Sequence, residues 1–201
     1  MKCLACAEKP GPVCLQCEAQ LAFAPRKVIR RDLTGVAAVD YSTTAATLIS
    51  AFKERSHTTL ASGFARLMKS AIEQLAVSNT GQSQAILVPV PSHPEWVRGF
   101  SPAEVLTRQL APRLGASWLK GLSLRANVRD QAGLEAGTRA TNLVGAMTAK
   151  PWMTGRSVWI VDDLVTTGST LLEARRALAE VGCVVTGFVT FAETLKKSDT
   201  R

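Results

Sequence analysis

Two adjacent carboxylates and a loop of hydroxyl groups form the strongest chemical signal in this chain. Asp162 and Asp163 follow the apolar run 158–161. Carboxylates in this position can accept hydrogen bonds from vicinal sugar hydroxyls, or face a Mg²⁺ ion directly or through water. A glycine among hydroxylated side chains, running into a helix, presents backbone N–H groups that hold a phosphate. The residues of this phosphate loop are Val165, Thr166, Thr167, Gly168, Ser169 and Thr170.

The flanking elements predict how these groups are held. The run 158–161, Val-Trp-Ile-Val, has the β-branched and aromatic character of a strand buried on both faces of a parallel sheet. Beyond the loop, apolar residues at 171, 174, 178 and 181 follow helical spacing. In open α/β sheets, ligands bind beyond the carboxyl ends of the strands. We therefore predict a site for a 5-phosphorylated ribose here. The alternative is an ordinary strand, turn and helix whose Thr and Asp residues are caps.

The string IVDDLVTTGST, residues 160–170, resembles the signature of type I phosphoribosyltransferases. That resemblance implies an α/β fold, with a Rossmann-like parallel sheet flanked by helices. It also implies 5-phosphoribosyl 1-pyrophosphate as the ligand, with Mg²⁺ on its pyrophosphate and with Asp162 and Asp163 as catalytic residues at the ribose. Because the transition state would be oxocarbenium-like, the protein would mainly orient the reacting groups and neutralise the leaving anion.

Four arginines are candidates for neutralising that leaving pyrophosphate. Arg98 lies in the loop after the predicted strand 85–90, where it could hold a pyrophosphate or only stabilise the turn. Arg125, Arg129 and Arg139 lie in the polar, glycine-containing segment 124–147. We interpret that segment as a flap, whose closure would exclude water and bring cations to the developing anion.

Four cysteines near the start of the chain have the spacing of a metal site. Cys3 and Cys6 form one C-x-x-C pair, Cys14 and Cys17 form another, and seven residues separate the pairs. Four thiolates match a closed structural Zn²⁺ site, and the metal would itself fold a segment with too little apolar material for a core. The alternatives are free thiols or a redox pair. Cys183 lies apart from these four and is interpreted as a small buried residue.

A second resemblance covers nearly the whole chain. The cysteines, the VPVP…RGF motif and the VDD…TTG motif look like the ComF/GntX family, bacterial phosphoribosyltransferase-like proteins linked to competence and DNA uptake. Two segments depart from that family: Ser101-Pro102 stands where Asn-Gln is usual, and Lys53-Glu54-Arg55-Ser56 replaces Lys-Tyr-x-Gly. We interpret Lys53 as a solvated charge, and the alternative is that it faces a ligand. The matching residues are Cys3, Cys6, Cys14, Cys17, Pro89, Pro91, Arg98, Gly99, Phe100, Arg129, Gln131, Leu134, Arg139, Asn142, Asp162, Asp163, Thr166, Thr167, Gly168 and Thr170.

Composition places the chain among ordinary globular proteins. Of its 201 residues, 46% are hydrophobic and 20% are charged. No apolar run approaches the ~20 residues that cross a membrane, and the first residues lack an apolar leader, so we expect a cytoplasmic protein. The net charge is +8, and the segments 1–31 and 120–156 each carry six basic against two acidic residues. Such segments favour polyanions, or serve only to keep the surface solvated.

These observations lead to a prediction of three regions and one function. The regions are a zinc ribbon of four cysteines with a basic linker (1–31), a phosphoribosyltransferase-like domain (32–195) and a polar tail (196–201). The predicted function is binding of 5-phosphoribosyl 1-pyrophosphate, or a related ribose 5-phosphate or nucleotide, in connection with DNA uptake. Turnover by pentosyl transfer and an oligomeric state are left open. The alternative is a non-catalytic scaffold that keeps the pocket and binds single-stranded DNA, or proteins of DNA uptake and recombination.

Overall fold

The structure is a computed structural model that describes residues 1–75, 86–92, 99–125 and 144–194. Its strands are β1 (Phe23–Arg30), β2 (Leu33–Asp40), β3 (Ile86–Pro89), β4 (Leu122–Leu124), β5 (Met147–Ala149), β6 (Ser157–Val165) and β7 (Val184–Glu193). Its helices are α1 (Leu15–Gln20), α2 (Thr43–Glu54), α3 (Leu60–Leu75), α4 (Pro102–Leu114) and α5 (Ser169–Glu180). None of the helices in these ranges combines the length and apolar character that a transmembrane segment requires.

Five of the strands form one sheet, in the order β1, β2, β7, β6, β3. The four strands β2, β7, β6 and β3 are parallel, whereas β1 pairs antiparallel with β2 at the edge. Strands β4 and β5 form a separate antiparallel pair. Because β2, β3, β6 and β7 run in one direction, their carboxyl ends lie at the same edge of the sheet. That edge is where an α/β protein of this kind binds its ligand.

Helices cover both faces of the sheet, so β6 is buried on both sides. On one face, Trp159 and Val161 of β6 pack in a core with residues of α2, α3 and α4. On the other face, Val158 and Ile160 pack with α5 and the β4–β5 pair. Neighbouring strand side chains point to opposite faces. Since both faces meet apolar side chains, residues 158–161 of this strand form an unbroken apolar run, as their composition predicts.

Residues 1–21, here called the N-terminal module, pack against α2 and α3. Leu21 is buried in the core on that side of the sheet. Glu18 forms an ion pair with Arg66 of α3 at 2.5 Å, and the Thr44 hydroxyl donates to Gln20 at 3.1 Å. The module is therefore in direct contact with the domain that follows it.

One expectation for the secondary structure was wrong. The segment predicted as a basic linker, which contains Arg26 and Arg30, forms strand β1 of the main sheet, and its residues alternate between exposed and buried positions from Lys27 onward. Beyond β3, Trp118 forms an isolated bridge to Leu87.

Candidate functional site

Asp162 and Asp163 lie within β6, not beyond its end as the sequence predicted. The strand continues to Val165, so the loop itself is only 166–168, and Ser169 already begins α5. Asp163 is 3% exposed and Asp162 is half-buried. The backbone N–H of Asp163 donates to Oδ1 of Asp162 at 2.8 Å. The two carboxylates are thus held by the strand, immediately before the loop.

Lys53 is the cation next to this carboxylate pair. It lies in the last turn of α2, and its Nζ is 2.7 Å from Oδ2 of Asp163, with the two side chains 25% and 4% exposed. The interpretation of Lys53 as a solvated charge was therefore wrong, since its ammonium lies in a largely buried ion pair. No local spacing rule connects α2 with β6, so only the fold could reveal this contact.

The carboxylate pair carries more negative charge than Lys53 alone balances. Burial and the charge of Asp163 raise the pKa of Asp162 well above its usual range, against the opposing effect of Lys53. A donor of hydrogen bonds, or a further cation, would stabilise the ionised form of Asp162. The residues present therefore fit sugar hydroxyls or a Mg²⁺ ion at this position.

We expect Asp162→Asn to raise the melting temperature at neutral pH. Because the pKa of Asp162 is raised in the folded state, folding binds a proton, and stability falls as pH rises from about 4 through the folded pKa. Asparagine carries no charge and keeps the oxygen that accepts from Asp163. The gain over wild type should therefore grow with pH and then level off, as measured by thermal unfolding at several pH values.

Asp32→Asn is the matched control for that experiment. Asp32 is an exposed carboxylate whose pKa is lowered by its hydrogen bond from Arg175. Its neutralisation should leave the melting temperature unchanged or slightly lower. Equal melting temperatures for wild type and Asp162→Asn across the pH range would contradict the prediction.

The loop 166–168 runs directly into the start of α5. Gly168 is the residue before the helix and has φ of +82°, a left-handed conformation that glycine adopts without strain. The first helical bond runs from the Leu172 N–H to the Gly168 carbonyl, so the preceding N–H groups have no partner within the helix. Together with the helix dipole, these groups suit a phosphate. The Thr167 and Ser169 hydroxyls lie 2.9 Å apart at the same place.

A largely buried ion pair within α5 forms hydrogen bonds to β5, at the end of the predicted flap. Glu173 is 4% exposed and accepts from the Met147 N–H at 2.8 Å. Arg176 donates to both oxygens of Glu173 at 2.8 Å, and also to the Met147 carbonyl. Burial opposes ionisation of Glu173, but Arg176 and the Met147 N–H outweigh it and lower the pKa of Glu173. No local pattern in the sequence predicts this pair.

Of the four predicted pyrophosphate-binding arginines, three (Arg98, Arg129 and Arg139) lie outside the described residues. Of the predicted flap, the structure describes the two ends. Arg125 donates its N–H to the Ala146 carbonyl at 2.9 Å, next to the β4–β5 pair. The roles of the three arginines therefore stay predictions.

The four cysteines of the N-terminal module lie together. All four Sγ atoms are within 4.8 Å of one another, and Cys6 and Cys14 are 3.9 Å apart. A tetrahedral Zn²⁺ site with bonds of about 2.3 Å has sulfurs roughly 3.8 Å apart. Despite its burial, backbone hydrogen bonds lower the pKa of Cys3 to about 6. Burial and the other cysteines raise the pKa of Cys17 to about 12. Thiolates this close together repel one another, and a bound cation would offset that repulsion. The cluster could therefore hold a metal such as zinc.

Comparison with known proteins identifies the family. A family model described as phosphoribosyl transferase domain matches residues 57–201. The chain belongs to the phosphoribosyl transferase domain family. Its curated relatives include a DNA utilization protein from Salmonella typhi, 31% identical over 151 residues, or 73% of this chain and 66% of the relative. They also include Competence protein F from Haemophilus influenzae, 31% identical over 141 residues, 67% of this chain and 62% of the relative.

These relatives confirm the resemblance to competence-associated phosphoribosyltransferase-like proteins. The matched region spans less than two thirds of the length of each relative. The predicted type I phosphoribosyltransferase fold is confirmed by the family match, with the addition of an antiparallel edge strand.

Two solved structures are similar at lower identity. One is an adenine phosphoribosyltransferase from Thermoanaerobacter pseudethanolicus, with a TM-score of 0.40, 16% identity and 87% of each chain covered. The other is an allosteric regulatory enzyme of purine biosynthesis, with a TM-score of 0.41, 20% identity, and 66% of this chain and 26% of that one covered.

Proposed function

We propose that this protein binds 5-phosphoribosyl 1-pyrophosphate, or a related ribose 5-phosphate, at the carboxyl end of β6. The observation that carries the proposal is the arrangement of Asp162 and Asp163 directly before a glycine loop at the start of α5. The carboxylates are short of positive charge, and the loop presents N–H groups. A 5-phosphorylated ribose supplies hydroxyl donors to the carboxylates and an anionic phosphate to the N–H groups of the loop.

In this proposal, each group of the site has one task. The loop 166–168 and the first N–H groups of α5 hold the 5-phosphate. Asp162 and Asp163 accept from the ribose hydroxyls, and Lys53 fixes the position of Asp163 through their ion pair at 2.7 Å. A Mg²⁺ ion on the pyrophosphate would neutralise part of the leaving charge. Pentosyl transfer would further need an acceptor and the arginines Arg98, Arg129 and Arg139.

The experiment is calorimetric titration of the zinc-loaded protein with 5-phosphoribosyl 1-pyrophosphate and Mg²⁺. We expect binding by the wild type, and a loss of about a hundredfold or more in Asp162→Asn/Asp163→Asn, because two charged acceptors are removed. Asp32→Asn is the control for surface charge. No binding by folded wild type, or equal binding by the double variant, would contradict the proposal.

The names of the relatives favour a role of this pocket in DNA uptake or use. A non-catalytic scaffold that binds single-stranded DNA is the second candidate, and the net charge of +8 supports it. If titration shows no binding of the ribose ligand, single-stranded DNA is the next ligand to test.

A further inference from the structure

Arg30, the last residue of β1, is buried in contact with the phosphate loop. It is 9% exposed, although arginine is rarely buried unless it is paired. Its Nε donates to the Thr166 carbonyl at 3.0 Å, and its Nη2 donates to Oε1 of Glu193 at 2.7 Å. Its Nη1 donates to the Ile29 carbonyl at 3.1 Å. Each nitrogen of the guanidinium group therefore has a defined partner.

The aliphatic part of Arg30 fills the space under the glycine of the loop. A Cβ atom added at Gly168 would lie 2.6 Å from Cγ and 2.9 Å from Cβ of Arg30. The loop can pass this close only because Gly168 has no side chain. Arg30 thus touches the loop at two points, the carbonyl of Thr166 and the backbone at Gly168.

The carboxylate that pairs with Arg30 lies at the end of β7. Glu193 is 7% exposed and is the last residue of that central strand. The residue after it, Thr194, donates its N–H to the Val165 carbonyl at 3.0 Å, at the end of β6. Glu193 is therefore held by the sheet. Its ion pair fixes the Arg30 guanidinium group, which in turn contacts the loop.

We propose that Arg30 is a positioning residue, which fixes the loop 166–168 in the conformation that binds the 5-phosphate. The inference rests on the proposed function, and it adds a residue from strand β1 to that site. The Thr166 carbonyl would be repelled by a phosphate if it pointed toward the ligand. Because the Thr166 carbonyl accepts from Nε of Arg30, it points toward Arg30 and not toward the ligand. The N–H groups of the loop then remain available to the anion.

The test separates positioning from mere stability by comparing three variants of the full, zinc-loaded chain. Arg30→Lys keeps a charge for Glu193 but has no N–H at the position of Nε. Arg30→Met/Glu193→Gln removes both charges, so that no unpaired carboxylate is left buried. Lys27→Met is the matched control, since Lys27 is an exposed cation on the same strand. Affinities for ribose 5-phosphate and for inorganic phosphate are measured beside melting temperatures.

We expect both Arg30 variants to bind each ligand about tenfold more weakly than wild type, with Lys27→Met unchanged. The loss should be equal for ribose 5-phosphate and inorganic phosphate, because both use the loop. It should also be present in Arg30→Lys even where the melting temperature is near that of wild type. Affinity that follows the melting temperature, or wild-type affinity in Arg30→Lys, would overturn the inference alone. Absence of binding by wild type would overturn both this inference and the proposed function.

Discussion

Removal of metal from the zinc-loaded protein is expected to unfold the N-terminal module while the sheet remains. The module, residues 1–21, buries little besides its cysteines and Leu21, so a metal bound by the four cysteines would be its main source of stability. Structural zinc contributes roughly 10–16 kcal/mol in small modules of this kind. Treatment with a chelator should release one zinc per chain and expose the amides of the module to hydrogen exchange. Exchange in β6 and β7 should change little.

Two cysteine variants provide the controls for this result. Cys17→Ser removes one of the four clustered sulfurs and should lower zinc content well below one per chain. Cys183→Ser changes a buried cysteine outside the cluster, where its thiol donates to the Met153 carbonyl at 3.0 Å. That variant should keep one zinc. Equal zinc content in the two variants would contradict a site built from the four clustered cysteines.

Glu173→Ala is expected to lower the free energy of unfolding by roughly 3 kcal/mol. Removing one partner of a buried ion pair costs about 3–5 kcal/mol. The lower end is expected here, because Arg176 is partly exposed and keeps its surface partner Glu180. The buried Met147 N–H also loses its acceptor. Urea unfolding followed by circular dichroism measures the change.

The pH dependence gives this prediction a second check. Because the pKa of Glu173 is lowered in the folded state, its stabilising effect is present above about 4.3 and is lost as pH falls through the folded pKa. The difference between wild type and Glu173→Ala should therefore shrink in acid. Glu180→Gln is the matched control, since Glu180 pairs with the same arginine at the surface and should change stability by less than about 1 kcal/mol. A similar loss in both variants would contradict the role of burial.

The sequence predicted the strand, loop and helix around Asp162, but not the buried charged contacts that hold these elements in place. The strand, loop and helix around Asp162 could be recognised because their pattern is local: an apolar run, small polar residues, then helical spacing. The four cysteines could be recognised for the same reason. The strand was predicted too short, because Asp162 and Asp163 look like strand-ending residues, although pairing with β7 carries β6 through them to Val165.

Lys53 was interpreted wrongly, and Arg30 and Glu173 were missed, because each acts through a contact distant in sequence. A charged residue looks solvated in a sequence, since most such residues are. Lys53 meets Asp163, Arg30 meets Glu193, and Glu173 meets Met147 only after the sheet has formed. Burial of a charge is a property of the folded neighbourhood, so neither periodicity nor composition could reveal it.

Strand β1 determines where this chain can safely be cut. It covers the edge of β2, a strand with the buried apolar run 36–39. A fragment that begins at residue 32 would lose Arg30 and would leave β2 with unpaired backbone groups along an apolar edge. Such an edge is a template for aggregation. Truncated forms made to separate the cysteine module from the transferase-like domain should therefore begin before Phe23, and insolubility of shorter ones would reflect the exposed strand and not the missing metal.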